Sequence, residues 1–311
     1  MKPKSLFICC FIFTLLVIKT EATRKWLPEV SGYSKDSGKG NVGIFGKPIT
    51  GLTVSGGKEY RVHIVRGDWL PPVTGNDIND DTNGYAGTLD DKEIDAVAIS
   101  GGDKYAVHIM GEGWTYSVTG YSIDEKVKEG YAGTIGKPID AIMINGRTYA
   151  TSYNFKPDQY DPPASRAQRA IEIYNFFRGK GWTKNAICGI LGNIDTETYG
   201  TFDPECSPYG RHAIGILQWC PQDTLIDWAK QNGLDYKTIH TQCERLMFEF
   251  DNVIRFGVTG YCRMSFRSYV YSYYSPSELA ICFMYNYIDP IPRYENMGER
   301  TKKAELWCKY F

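Results

Sequence analysis

The chain has 311 residues, of which 42% are hydrophobic and 23% charged, with a formal net charge of −1. That is room for two domains, each with its own core, and neither half carries the basic excess that would point to nucleic acid. Past the leader, no apolar run reaches the ~20 residues of a membrane-spanning helix.

The opening "MKPKSLFICCFIFTLLVIKTEA" sets Lys2 and Lys4 ahead of an apolar run from Leu6 to Ile18, then small residues at Thr20 and Ala22. This is the layout of a secretory signal peptide at residues 1–22, and it predicts cleavage near Ala22 and an exported, extracellular product with no membrane attachment. Cys9 and Cys10 leave with it. The remaining cysteines, at 188, 206, 220, 243, 262, 282 and 308, all lie in the C-terminal half. In an exported protein that crowding predicts disulfides. Their number is odd, so at least one thiol is unpaired or bonded to another chain, and sequence does not choose the pairing. The chain has no Asn-x-Ser/Thr sequon, so no N-glycan is expected.

The segment "YRVHIVRGDWLPPVTG" at Tyr60 recurs as "YAVHIMGEGWTYSVTG" at Tyr105. Each copy is followed by a "GYAGT" turn, from Gly84 or Gly130. A more diverged copy opens with "WLPEVSGY" at Trp26 and continues with "GIFGKPITGLTV" from Gly43, and "YATSYNF" from Tyr149 reads as the strand that closes a ring. Short alternating runs such as Tyr60, Val62 and Ile64, separated by Gly-rich turns, are the strand signature. The expectation for residues 23–155 is an all-β domain with pseudo-threefold repeats, of β-trefoil or β-prism type, in which no unit buries its face alone.

These repeats resemble bacterial wall-associated, Trp-containing (ChW-like) repeats, through Val62, His63, Trp69 and Ala86-Gly87-Thr88 in one copy and Val107, His108, Trp114 and Ala132-Gly133-Thr134 in the next. The resemblance implies binding to a cell wall or surface sugar, with Trp69 and Trp114 as candidate contacts. The same tryptophans serve equally well as hydrophobic plugs repeated with the fold. His63 and His108, at equivalent strand positions, read as structural residues, and no metal or cofactor is expected.

A Pro-rich linker at 156–165, "KPDQYDPPAS", precedes a change of period from two to about 3.6. Residues 166–311 are predicted to be mainly α. Ser165 is the candidate N-cap of a first helix, and Thr183 starts a second whose apolar face is Ala186, Ile187, Ile190, Leu191 and Ile194. A third runs from Pro221 to Gly233, and others start near Thr238, Ser275 and Met297, with a capping box at "SPSE". A non-helical excursion is expected between Glu197 and Trp219.

Glu197 stands at the end of the second helix. The negative end of the helix dipole and apolar neighbours would both raise the pKa of a carboxyl there, and a carboxyl still protonated near neutral pH can serve as a general acid. Glycoside cleavage uses such a group to protonate the leaving oxygen.

Around it, "GNIDTET", "FDP" and "AIGILQW" resemble the phage tail lysozyme family and, more loosely, lytic transglycosylases. Gly192, Asn193, Glu197, Thr198, Phe202, Pro204, Gly215, Gln218 and Trp219 occupy the family's positions, and the resemblance spans roughly residues 168–308, including the late Arg300 and Ala304. Thr198 stands where the family usually has Ser, and Ile288, followed by Asp289, where it usually has Glu. The resemblance implies a lysozyme-like fold that cuts the β-1,4 bonds between N-acetylmuramic acid and N-acetylglucosamine in peptidoglycan. Glu197 would be the acid, with Gln218, Trp219, Gly215, Tyr285 and Asn286 toward the sugar; Trp219 serves equally well as a core residue.

The second carboxylate is open. Asp203 and Glu205 are candidates, while Asp195, two residues before Glu197 on a helix, should point elsewhere. With no second carboxylate in place, a single-acid lytic transglycosylase route becomes the better reading. A cysteine peptidase lacks a recognisable nucleophile setting beside His212 or His240, and a zinc enzyme lacks a ligand motif. The rival of another class is a secreted, non-catalytic lectin on a lysozyme-like scaffold. The expected product is a monomer whose partner is the bacterial wall.

Overall fold

The computed structural model describes residues 23–35, 40–127, 129–156, 160–208, 212–290 and 296–311; the expected leader lies outside them. Strands fill the first part and helices the second. The strands are β1 (Thr23–Trp26), β2 (Val30–Gly32), β3 (Val42–Gly43), β4 (Gly51–Val54), β5 (Tyr60–Ile64), β6 (Ala86–Gly87), β7 (Ile94–Ile99), β8 (Tyr105–Ile109), β9 (Gly113–Trp114), β10 (Ala132–Gly133) and β11 (Ile139–Phe155). β11 is the spine. Its first half pairs antiparallel with β8 and β3, and its second half with β1 and β4. Thr23 lies opposite Phe155, so the first and last strands of the region close on each other. β10, β7 and β5 form a separate sheet.

The sequence repeats return as repeated hydrogen bonds. The Tyr60 hydroxyl donates to the carbonyls of Gly75 at 2.8 Å and Gly84 at 3.2 Å. Tyr105 does the same to Gly120 and Gly130, and Tyr149 to Gly32 and Gly40. Burial pushes all three phenols above their usual range, so they remain donors. His63 bonds Asp95 at 2.7 Å and His108 bonds Asp140 at 2.5 Å through Nδ1. The second oxygen of each aspartate accepts a turn amide, Gly136 N–H or Gly46 N–H, at 2.7 Å. In the third copy Thr50 and Ser152 replace the pair with a 3.2 Å hydroxyl contact.

The helices are α1 (Ala164–Gly179), α2 (Lys184–Glu197), α3 (Asp223–Gln231), α4 (Ile239–Asp251), α5 (Phe266–Val270), α6 (Pro276–Phe283), a π-helical turn (Met284–Ile288) and α7 (Met297–Tyr310). Caps explain most starts. Thr183 accepts from Ala186 N–H, Thr238 from Thr241 N–H, and Ser275 with Glu278 forms the expected capping box, each contributing about 1 kcal/mol. α1 departs from expectation, because Pro163 takes the N-cap position and Ser165 lies within the first turn. No described helix is long and apolar enough to cross a membrane.

The crowd of disulfides expected from the cysteine count reduces, among the described residues, to one bridge, Cys262–Cys282; Cys188, Cys206, Cys220, Cys243 and Cys308 are thiols. Cys243 is buried on α4, and desolvation raises its thiol well above the usual range. Cys308 on α7 donates to Asn185 Oδ1 at 3.7 Å, and burial likewise raises the Cys188 thiol on α2.

The β and α parts are packed together rather than merely tethered. Asn175 of α1 is buried and donates to Gly43 O at 2.9 Å while accepting from Phe45 N–H at 3.1 Å. Beside it Lys47 donates to the Tyr310 carbonyl and lies over the rings of Tyr153 and Tyr310. Desolvation, reinforced by Lys184 and Lys25, lowers this amine to about 7.

Candidate active site

The end of α2 is set by small residues. A Cβ on Gly192 would come within 2.5 Å of the Arg300 carbonyl and 2.7 Å of Ala304 N, so only glycine lets α7 approach this closely. Asn193, fully buried, donates to Gly189 O and Ala280 O, tying α2 to α6. Its remaining oxygen accepts from Arg300 at 2.9 Å, and the other arm of that guanidinium reaches Glu197 Oε1 at 2.6 Å. Glycine, asparagine and arginine together fix where the carboxyl of Glu197 stands. Thr198 supports it from the other side: its hydroxyl donates to Ile194 O and accepts from Phe202 N–H, which turns the chain back.

Here expectation and structure part. Glu197 meets the charge of Arg300 instead of an apolar surround, and its side chain is 10% exposed. It opens into a cleft of about 270 Å³ whose walls include Gln218, Arg255, Ile288, Asn296 and Arg300. Four lining residues other than glycine, Tyr199, Gln218, Arg255 and Asn296, have left-handed backbones, with φ of 49°, 47°, 66° and 47°. Such strained positions gather at functional sites because the surrounding fold must hold them there. Larger hollows, of about 850, 540, 510 and 340 Å³, lie away from Glu197.

The candidate second carboxylates are engaged elsewhere. Asp203 accepts from Glu205 N–H in a tight turn, and Glu205 is exposed and paired with Lys237 at 2.6 Å. Asp195, on the opposite face of α2 as its spacing required, is buried against Arg166, Lys303 and Trp307. Among the described residues lining the cleft, Glu197 is the only acid.

The structure divides the expected sugar contacts. Gln218 lines the cleft and donates to Cys206 O and Gly215 O, while its Oε1, buried, has no partner among the described residues. Trp219 is fully buried, and its indole donates to Glu249 at 3.0 Å, so it belongs to the core and not to the sugar-facing wall. Gly215 is a packing position: at φ 88°, a Cβ there would meet Gln242 Oε1 at 2.6 Å. That oxygen accepts Ile216 N–H. Asn286 is buried and braces the 259–264 loop through Thr259, Cys262 and Met264. Tyr285 stacks on exposed Tyr261 with ring centroids 3.9 Å apart.

In the β part, Trp69 packs edge-on against His63 and Tyr131, and Trp114 against His108 and Phe45. Both are half-buried.

This arrangement, an acid at a helix end held by Asn193 and Arg300 above a glutamine with a vacant acceptor, coincides with the span picked out by comparison with known proteins. Residues 168–311 match the phage tail lysozyme family. The chain is also similar to morphogenesis protein 1 of Bacillus phage B103, 35% identical over 142 aligned residues that cover 44% of this chain and 37% of that protein. The chain thus spans little more than a third of that relative's length.

Sequence reasoning missed Glu249 and Arg255. Glu249 is buried on α4 and accepts from Trp219, Arg245 and Tyr287, joining three elements behind the cleft. Burial first, and Glu249 second, raises the Tyr287 phenol, which keeps it a donor. The signal was present as an acid inside the apolar "LMFEF" run. Nothing in the sequence set Arg255 apart from other loop arginines.

Proposed function

We propose that the C-terminal part cleaves the β-1,4 bonds between N-acetylmuramic acid and N-acetylglucosamine in peptidoglycan, with Glu197 as general acid. The observation that carries this is a cleft-lining acid, fixed by Arg300 and Asn193, inside the span that matches the phage tail lysozyme family. Glu197 gives its proton to the leaving oxygen as the anomeric C–O bond breaks. Gln218 on the cleft wall holds its own turn through Cys206 O and Gly215 O, and Arg300 acts as a positioning residue.

Because the two candidate second carboxylates, Asp203 and Glu205, are engaged elsewhere, we read the reaction as taking the single-acid route. The muramyl C6 hydroxyl then attacks the anomeric carbon, and its proton returns to Glu197, which closes the cycle without water. Mass spectrometry of fragments released from purified peptidoglycan tests both statements. Anhydro-muramyl ends are expected from the wild type, with none from Glu197→Gln. Reducing ends would make the protein a hydrolase of the lysozyme type, and no fragments from either protein would make it a glycan-binding protein.

The proposal extends to export and anchoring. Export rests on the leader layout of residues 1–22, with charged Lys2 and Lys4 ahead of an apolar run and small residues at Thr20 and Ala22. The resemblance of the repeats to wall-associated repeats supports a β module that raises the enzyme's concentration on an insoluble wall. Since Trp69 and Trp114 pack against their own histidines, such contacts would come from other exposed residues. Glu197→Gln protein should still sediment with insoluble walls when soluble glycan saturates its cleft; complete release into solution would refute the anchor.

A further inference from the structure

Most cations near the cleft are spoken for, Arg300 by Glu197 and Arg245 by Glu249. Arg255 is different. Its guanidinium lies over the Tyr287 ring, 4.8 Å from the centroid, and has neither an ion pair nor a hydrogen bond with any described residue. Yet it is not a loose surface side chain. It follows α4 in a short turn in which Ile254 N–H donates to Glu249 O and Phe256 N–H to Ile254 O. Val253 and Arg255 both take left-handed backbones, at φ 53° and 66°. Phe256, next in sequence, is buried and stacks on Phe266 at 4.5 Å. Tyr287 is itself locked by Glu249. The fold therefore holds a guanidinium without a polar partner among the described residues on the wall of the cleft that contains Glu197, at the cost of strained backbone.

A planar guanidinium with free donors on its edge fits a carboxylate, which it can bind by two parallel hydrogen bonds. A neutral β-1,4 glycan has none to offer. Peptidoglycan has carboxylates at its muramyl units, either the lactyl group where the stem peptide is absent or the stem peptide's own acids where it is present. We propose that Arg255 is a specificity residue that binds a muramyl-borne carboxylate and so selects this polymer over neutral glycans of the chitin type. The inference rests on reading the cleft as a glycan-cleaving site.

The test compares three soluble oligosaccharides of equal length: a neutral chitin-type oligomer, a peptide-free muramyl oligomer and a peptide-bearing one. Initial cleavage rates are measured for wild type, Arg255→Gln and Arg255→Lys, and binding by calorimetry for Glu197→Gln with and without Arg255→Gln. The wild type should prefer an acidic oligomer over the neutral one, and Arg255→Gln should cut that preference roughly 10- to 100-fold, the range of a hydrogen bond to a charged group. Arg255→Lys should retain part of it. Preference for the peptide-free oligomer alone assigns the lactyl carboxylate, and for the peptide-bearing one alone the stem acids.

Cleavage that falls equally on all three oligomers in Arg255→Gln would overturn the specificity role and leave the cleavage reading intact. Arg255-dependent binding without cleavage would do the reverse. No binding and no cleavage of any oligomer would overturn both.

Discussion

The β repeats and the cleft treat their polar side chains in opposite ways. In the repeats, Tyr60, Tyr105 and Tyr149 each bond two carbonyls, and His63 and His108 each bond a buried aspartate. In the cleft, Gln218 Oε1 and the Arg255 guanidinium lack polar partners among the described residues. A buried polar group left unpaired destabilises a fold, and the β part carries such groups too, in the hydroxyls of Thr53 and Thr151, so an unpaired atom does not by itself mark a ligand site. The residues that recur in sequence, the tyrosines and the His–Asp pairs, are consumed by the fold that recurs with them.

The largest effect should come from the cleft. Glu197→Gln, which keeps size and removes the acid, is expected to lower glycan cleavage by ~10²–10⁴-fold with little change in melting temperature. A comparable loss of stability would mean that Glu197 serves the fold through Arg300, as the repeat residues serve theirs.

Next in size is the bridge behind the cleft. Cys282→Ser, or reductant, opens the Cys262–Cys282 loop and should lower stability by about 2–4 kcal/mol in denaturant titration. Identical curves with and without reductant would show that the bridge does not form.

In the repeats the expected sign is stability without activity. Asp140→Ala strands His108 Nδ1 and Gly46 N–H and should cost about 1–3 kcal/mol, while cleavage of soluble glycan stays within about twofold. The third copy, where Thr50 and Ser152 already replace the pair, should tolerate Ser152→Ala better. Equal costs at the two sites would show that the His–Asp pairs are not special to the fold.

A last prediction tests the contact between the two parts through its pH dependence. Lys47, at about 7 when folded, lies below its ordinary value of 10.5. Between those values the unfolded chain binds the proton more readily, so stability rises with pH across that window and the penalty is full below pH 7. Lys47→Met should therefore stabilise more near pH ~6 than near pH ~9.5. An equal gain at both would place Lys47 outside the desolvated interface.

Much of this could be read from residues alone. Caps at Thr183, Thr238 and Ser275 and the repeats at Tyr60 and Tyr105 were legible because they act over a few neighbours. Glu197 was legible as the acid that ends an apolar helix. Arg300 as its partner was not, since the contact joins residues 103 apart in sequence and depends on Gly192 letting α7 approach. Trp219 looked like a sugar platform because aromatics serve cores and sugars alike, and only the bond to Glu249 distinguishes the two. The cysteines misled for a related reason: spacing carries no information on which thiols end up buried alone, as Cys243 does.

The most direct test of the account is to incubate purified peptidoglycan with wild-type protein and with Glu197→Gln and weigh the soluble saccharides released. The account predicts muramyl fragments from the wild type and none from the variant. Equal release by both would contradict it, because the chemistry would then lie outside the cleft.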